Sequence, residues 1–123
     1  MYNFVLNKVS NHVNKVTMLN FNNIYGHSTF SVHKRKAVIH FLFINKKYRG
    51  NDLGSVLLQN TEKILFQNNN INKISLLAHE KQGSSGLIDL YLKNGYFENF
   101  NTNNEYYDDG IDIYTLIPMY KLI

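Results

Sequence analysis

The sequence predicts a mixed α/β fold: a central twisted β-sheet that begins as an antiparallel meander, continues through strand–helix–strand units, and carries helices packed on it. Three observations predict it. Up to Ile44 the chain alternates apolar and polar residues in short runs parted by Asn, Ser, Gly and Lys; Leu53 to Gln67 changes to helical spacing; and strand-like apolar runs flank the helical segments. With 123 residues, 44% of them hydrophobic, the chain can bury one core, so a single domain over residues 1–123 is expected.

Taken in order, Tyr2 to Val9, Val13 to Phe21, Ser28 to Val32 and Ala37 to Ile44 read as the strands of the meander. Leu53, Val56, Leu57, Ile64 and Leu65 then recur near helical spacing, with polar Gln59, Asn60, Glu62 and Lys63 between them, which predicts a helix packed on the sheet. Ile71 to Ala78 reads as a buried strand. Ser84 to Lys93 follows as a second helix, stopped by Asn94-Gly95, and Tyr96 to Phe100 as the next strand. Asp108-Asp109-Gly110 is a hairpin turn signal. Ile111 to Leu116 resumes strand character until Pro118, which cannot donate to a ladder and predicts a bulge or an edge, after which Met119 to Ile123 returns to the sheet.

No charged and apolar leader opens the chain and no apolar run is long enough to cross a bilayer, so an intracellular, cytoplasmic protein without a membrane partner is expected. Zero cysteines exclude disulfides and thiolate metal sites, and no His/Asp/Glu spacing reaches a metal site, so no metal is expected; His27 and His33 read as turn and strand residues. The net charge of +4 would suit a polyanion or a phosphorylated small molecule alike. Lys34-Arg35-Lys36 and Lys46-Lys47 read as solvated turns. Nucleic acid is not expected as a partner, because along the sequence the basic residues do not interleave with aromatics on one evident face.

The most informative stretch is Leu42-Phe43-Ile44 followed by Arg49-Gly50-Asn51-Asp52-Leu53-Gly54-Ser55. An apolar strand runs through an Arg/Gly turn into a helix. The first N–H groups of that helix and the positive end of its dipole point into the turn, and Gly50 and Gly54 lack the Cβ that would hold a phosphate off, so the segment predicts a diphosphate cradle. The Lys of a nucleoside-triphosphate loop is missing, and the glycines are too few for a dinucleotide fingerprint.

Arg49, Gly54 and the strand before them resemble the acetyl-coenzyme A loop of the GCN5-related N-acetyltransferase (GNAT) superfamily, Arg/Gln-x-x-Gly-x-Gly/Ala, with Asp52 in place of the middle glycine. Leu90-Tyr91-Leu92-Lys93-Asn94-Gly95-Tyr96 resembles the superfamily's later Leu-Tyr-x-Lys-x-Gly-Phe/Tyr element. The resemblance covers Ala37 to the C-terminus. It implies a GNAT-like fold and an acetyl-CoA-dependent N-acetyltransferase that passes the acetyl group to a primary amine by direct attack in a ternary complex. The family's one or two helices between the first and second strands have no room here, which implies an acceptor side that is open, closed by a partner subunit such as a second copy, or lost.

The resemblance assigns Leu42, Phe43 and Ile44 to the pantetheine arm and Arg49, Gly50, Asn51, Asp52, Leu53, Gly54 and Ser55 to the diphosphate, with Ser84 nearest the place of a further contact to the arm. Asp52 sits awkwardly beside a diphosphate and is read as the N-cap of the following helix. Tyr91 falls where the family keeps a tyrosine that serves as general acid to the thiolate, and its alternative is a packing aromatic. For the general base, His40 is the first reading and Glu80 or His79 the alternatives; a histidine among Ile39, Phe41 and Leu42 also reads as an ordinary sheet residue. Tyr106, Tyr107, Asp108 and Asp109 read as a solvated turn or as a rim that attracts a cationic amine. The acceptor, small molecule or protein, stays open. A catalytically inactive acyl-CoA-binding or protein-interaction module on the same scaffold is the alternative function.

Overall fold

The computed structural model describes residues 2–123, with the backbone alone at Asn68. Strands β1 (Asn3–Lys8), β2 (Asn14–Asn20), β3 (Asn23–His33) and β4 (Lys36–Ile44) form the antiparallel meander. A 3₁₀ turn over Lys46–Tyr48 leads to helix α1 (Leu53–Asn68). Strand β5 (Lys73–Lys81), helix α2 (Gly86–Lys93) and strands β6 (Phe97–Glu98), β7 (Glu105–Asp108) and β8 (Ile113–Leu122) complete the chain. The sheet runs β1-β2-β3-β4-β5-β8-β6, with β7 also paired to β8. Only β4 and β5 pair in parallel; the other neighbours are antiparallel.

Both helices cover the same face. The crossovers β4-α1-β5 and β5-α2-β6 step in one direction across the sheet, and right-handed crossovers then place their helices together. Alternation along each strand turns Val16, Met18, Phe30, Ala37, Ile39, Ile74, Leu76, Ala78, Ile117 and Met119 toward that face, where they pack with Leu57, Leu58 and Leu65 of α1 and Tyr91 of α2. Each such large side chain contributes roughly 1.5–3 kcal/mol by leaving water. The opposite face carries no helix. The loop from β1 to β2 is a short turn closed by the Val9 N–H on the Val13 carbonyl, so no helix intervenes there, as the sequence predicts.

Four expectations are corrected. Strand β3 begins at Asn23, ahead of the predicted Ser28, because Gly26 is a strand residue where the Phe43 carbonyl lies too close for any Cβ, and its Asn/Gly surroundings read misleadingly as a turn. Strand β5 continues to Lys81, so His79 and Glu80 belong to it and do not follow it. Glu62 is a buried residue of α1: it accepts 2.7 Å from the Tyr96 hydroxyl and 3.0 Å from Lys121 Nζ, a paired charge that α1 shares with the sheet. Pro118 lies inside a continuous β8, opposite Leu77. Its carbonyl accepts from Asn99 N–H, so its missing donor faces the gap between the end of β6 and the start of β7, where no strand needs it.

Among the described residues no helix is long and apolar enough to cross a membrane.

Candidate active site

The ladder between β4 and β5 stops at Ile39 and Leu76, although β4 continues to Ile44 and β5 to Lys81. The two strands splay. A β-bulge starts the parting: Phe30 faces Ile39 and Thr29 faces Phe41, leaving His40 as the extra residue and twisting β4 away from its parallel neighbour. The wedge opens a cleft of about 800 Å³, a size typical of small-molecule sites. It runs from Gly50, Asp52 and Gly54 at the head of α1, past Tyr91 of α2, to Tyr107 and Tyr114 on the last hairpin.

At the head of α1, Tyr48 N–H and Arg49 N–H close the 3₁₀ turn on the carbonyls of Asn45 and Lys46, and Val56 N–H reaches Asp52. Among the described residues, the N–H groups from Gly50 to Ser55 meet no acceptor in the chain. Gly50 at φ +93° and Asp52 at φ +60° both adopt left-handed backbone, which curls the segment before α1. Arg49 Nε donates 2.9 Å to the Ile44 carbonyl, and its guanidinium lies 5.4 Å from the Phe43 ring centre.

Two readings of this loop change. Asp52 stands at the N-cap position but makes no capping bond; its carboxylate pairs instead with Lys93 Nζ at 2.6 Å, and that ammonium holds its pKa below the ordinary carboxylate value. Gly54 also serves packing: a Cβ there would come within 2.6 Å of the Leu90 side chain, while at Gly50 a Cβ would meet nothing. Asn94 of the later element donates to Ser55 Oγ at 3.0 Å, and Gln59 donates to Asn94. The two motifs that stand far apart in the chain therefore touch at three places.

Twelve of the predicted site residues line the cleft: His40, Leu42, Phe43, Ile44, Arg49, Gly50, Asp52, Leu53, Gly54, Glu80, Ser84 and Tyr91. Asn51 and Ser55 do not. Asn51 donates from its side chain to the Tyr48 carbonyl at 3.4 Å, and the Ser55 side chain is buried against Asn94, leaving only their backbone N–H groups for a ligand.

Tyr91 is 4% exposed, with its ring edge-on to Tyr96 at 5.7 Å. Among the described residues its hydroxyl has no partner, yet it is not sealed from solvent, so it is available at the cleft wall. Burial pushes its pKa well above that of a free phenol, and it keeps its proton at neutral pH. His40, exposed on the helix-free face, shares a 2.7 Å hydrogen bond with Ser31 Oγ. Glu80 is 5% exposed and accepts 2.7 Å from the Ile88 N–H, so one carboxylate oxygen is engaged at the head of α2. His79 also lines the cleft. Asp109 takes the N–H groups of Ile111 and Asp112 in an Asx turn, which lowers its pKa; it serves the hairpin, as the solvated-turn reading has it, while also bordering the cleft.

Lys93, Leu87, Leu90 and Tyr114 are site residues that sequence reasoning did not assign, while Tyr107 borders the cleft, as the rim reading has it. Lys93 stood inside a quoted motif; its partner on another helix was the missing signal. Among the described residues no three His, Cys, Asp or Glu side chains gather as metal ligands would.

The fold is shared with solved acetyltransferases. The PaiA N-acetyltransferase from Thermoplasma acidophilum, solved with coenzyme A, superposes with a TM-score of 0.68 at 23% identity, over 91% of this chain and 62% of its own, so this chain spans under two thirds of that relative. An acetyltransferase from Bacillus subtilis, also with CoA, superposes at 0.78 with 10% identity over 100% of this chain and 99% of its own. The ribosomal-protein-S18-alanine N-acetyltransferase from Escherichia coli superposes at 0.77 with 16% identity, over 93% and 71%. No curated protein matches the sequence significantly. The model of the acetyltransferase (GNAT) family matches residues 10–96, a span that takes in the splayed strands, the open helix end and the element with Tyr91 packed against it. On that match the chain belongs to the acetyltransferase (GNAT) family.

Proposed function

We propose that this protein is an acetyl-CoA-dependent N-acetyltransferase that acetylates a primary amine by direct transfer in a ternary complex. The observation that carries the reading is the run of unclaimed N–H groups from Gly50 to Ser55, at the mouth of α1 and opening into the cleft between the splayed strands. The chain's donor set fits the cosubstrate: main-chain N–H groups and a helix dipole for the diphosphate, and the strand edge that β4 loses from β5 beyond Ile39 for the amide-bearing arm. When bound, acetyl-CoA supplies an acyl thioester, whose transfer to an amine releases a free thiol.

The residues of the chain divide the remaining work. The Lys93–Asp52 pair keeps the Asp52 carboxylate turned away from the open helix end and compensates its charge. Tyr91 holds a proton at its Oη and donates a hydrogen bond at the point where negative charge develops on sulfur. His40, Glu80 and His79 are groups on the cleft wall able to accept the amine proton, directly or through water. Apolar Leu42, Leu53, Leu87 and Leu90 line the cleft and exclude water from the reacting centre.

Titration calorimetry with acetyl-CoA tests the reading, with binding expected and its absence at millimolar ligand removing it. A second reading, an inactive acyl-CoA binder, draws on the engagement of Glu80 by Ile88 N–H, which occupies one of its two carboxylate oxygens. It predicts binding without thiol release against a panel of amines, and sustained turnover rejects it.

A further inference from the structure

Eight of the thirteen Lys and Arg residues, and none of the nine Asp and Glu, fall in residues 1–51. The meander is thus a cationic unit without a single carboxylate. Strand alternation sends Lys15, Lys36 and, from β5, Lys73 to the helix-free face; Lys81 points the same way but is paired with Asp112 at 3.4 Å, while the one acid of β5, Glu80, points to the helices.

The fold does on this face what the linear sequence did not show. His27, Phe41 and Phe43 cluster there, with ring centres 5.7–6.0 Å apart and Phe41 47% exposed. The Arg49 guanidinium caps Phe43 at one end; at the other, burial and, after it, the charge of nearby Lys15 lower the pKa of His27. A second cation–aromatic pair, Lys73 over Tyr120 at 5.4 Å, has its ring two strands away on β8, beyond a hollow of about 250 Å³ lined by Val38, His40, Leu77, His79 and Pro118. An uncovered sheet with exposed rings between cations, and no carboxylates among its first four strands, offers faces for bases to stack on and charges for phosphates. An acidic polypeptide would meet the same charge but has no use for the rings.

We propose that the helix-free face of β2–β5 and β8 binds single-stranded nucleic acid, through the His27–Phe41–Phe43 cluster and the lysines around it. Phe41, Phe43 and Arg49 also line the cleft, so the two surfaces meet there, whereas Lys15 and Lys36 lie outside it. The lysine variants therefore report on the face and calorimetry with acetyl-CoA on the cleft, which keeps failure of one reading distinct from failure of the other.

Fluorescence anisotropy with labelled oligo(U) and oligo(dT) of ~12 nucleotides, across a salt series, tests it. Binding that weakens with salt is expected. Lys15→Gln and Lys36→Gln should each flatten the slope of log K against log salt by about 0.7, and Phe41→Ala should weaken binding about tenfold with the slope unchanged. Circular dichroism melts establish that the variants fold, and the two lysine changes, on exposed or half-exposed side chains, carry the test should Phe41→Ala unfold. Four results overturn the proposal: no binding at ~100 μM protein; affinity indifferent to the lysine variants; equal competition by polyglutamate, which marks a general polyanion surface; or a dimer in sedimentation that buries this face.

Discussion

At the start of α1 the N–H groups from Gly50 to Ser55 meet no acceptor among the described residues, whereas at the start of α2 the Ile88 N–H donates to the buried Glu80 carboxylate at 2.7 Å. Both helix ends carry the same orphan donors and the same positive dipole end. They differ in what the preceding strand supplies. Strand β5 brings a carboxylate to α2; β4 ends in a 3₁₀ turn and a left-handed loop whose one carboxylate, Asp52, is drawn off by Lys93. An anion site thus depends less on a helix end than on whether the chain has already filled it.

The largest effect should come from disturbing the packing that holds the open end in place. Gly54→Val puts a side chain into Leu90, a clash costing about 1–3 kcal/mol by overpacking, and should abolish acetyl-CoA binding in calorimetry. Leu90→Ala combined with the milder Gly54→Ala should restore part of it. Failure of that rescue would show that Gly54 serves the ligand directly and not the helix contact.

Tyr91→Phe removes a donor at the cleft wall without touching the open helix end. Acetyl-CoA affinity should stay within about twofold and turnover should fall roughly 100-fold, read by thiol release. Unchanged turnover ends its role as acid.

At the filled helix end, Glu80→Ala leaves the Ile88 N–H without its acceptor and should cost about 1–2 kcal/mol, seen as a lower midpoint in thermal unfolding. Glu80→Gln keeps an acceptor oxygen and should recover most of that stability. If Gln restores the midpoint but not thiol release, Glu80 does more than cap α2.

The smallest expected effect separates the two partners of the salt bridge. Lys93→Ala leaves Asp52 uncompensated beside the open helix end and should weaken acetyl-CoA binding about threefold, whereas Asp52→Ser should leave it equal or tighter. Equal losses from both would mean that the pair matters for loop geometry and not for charge.

The local grammar of the chain made both ends of this comparison partly readable. Arg49-Gly50 and Gly54 marked the open turn, and Leu90 to Tyr96 marked the helix that packs on it, because turn chemistry and helical spacing are properties of neighbouring residues. Glu80 was misread as lying past its strand, and with that its capping of α2 went unseen. Glu62 was read as one of the polar residues between the apolar positions of α1; its partners, Tyr96 and Lys121, lie 34 and 59 positions away.

By itself, then, the sequence determined most of the order of strands and helices and the place of the open turn before α1, since periodicity and backbone freedom are written locally. Only the tertiary structure decided that Asp52 would serve Lys93 in place of the helix cap, that Gly54 would answer to Leu90, and that scattered lysines and rings would meet on one face of the sheet. Those outcomes depend on which distant residue comes within a few ångströms, and that follows from how strands register and helices cross once the core has formed.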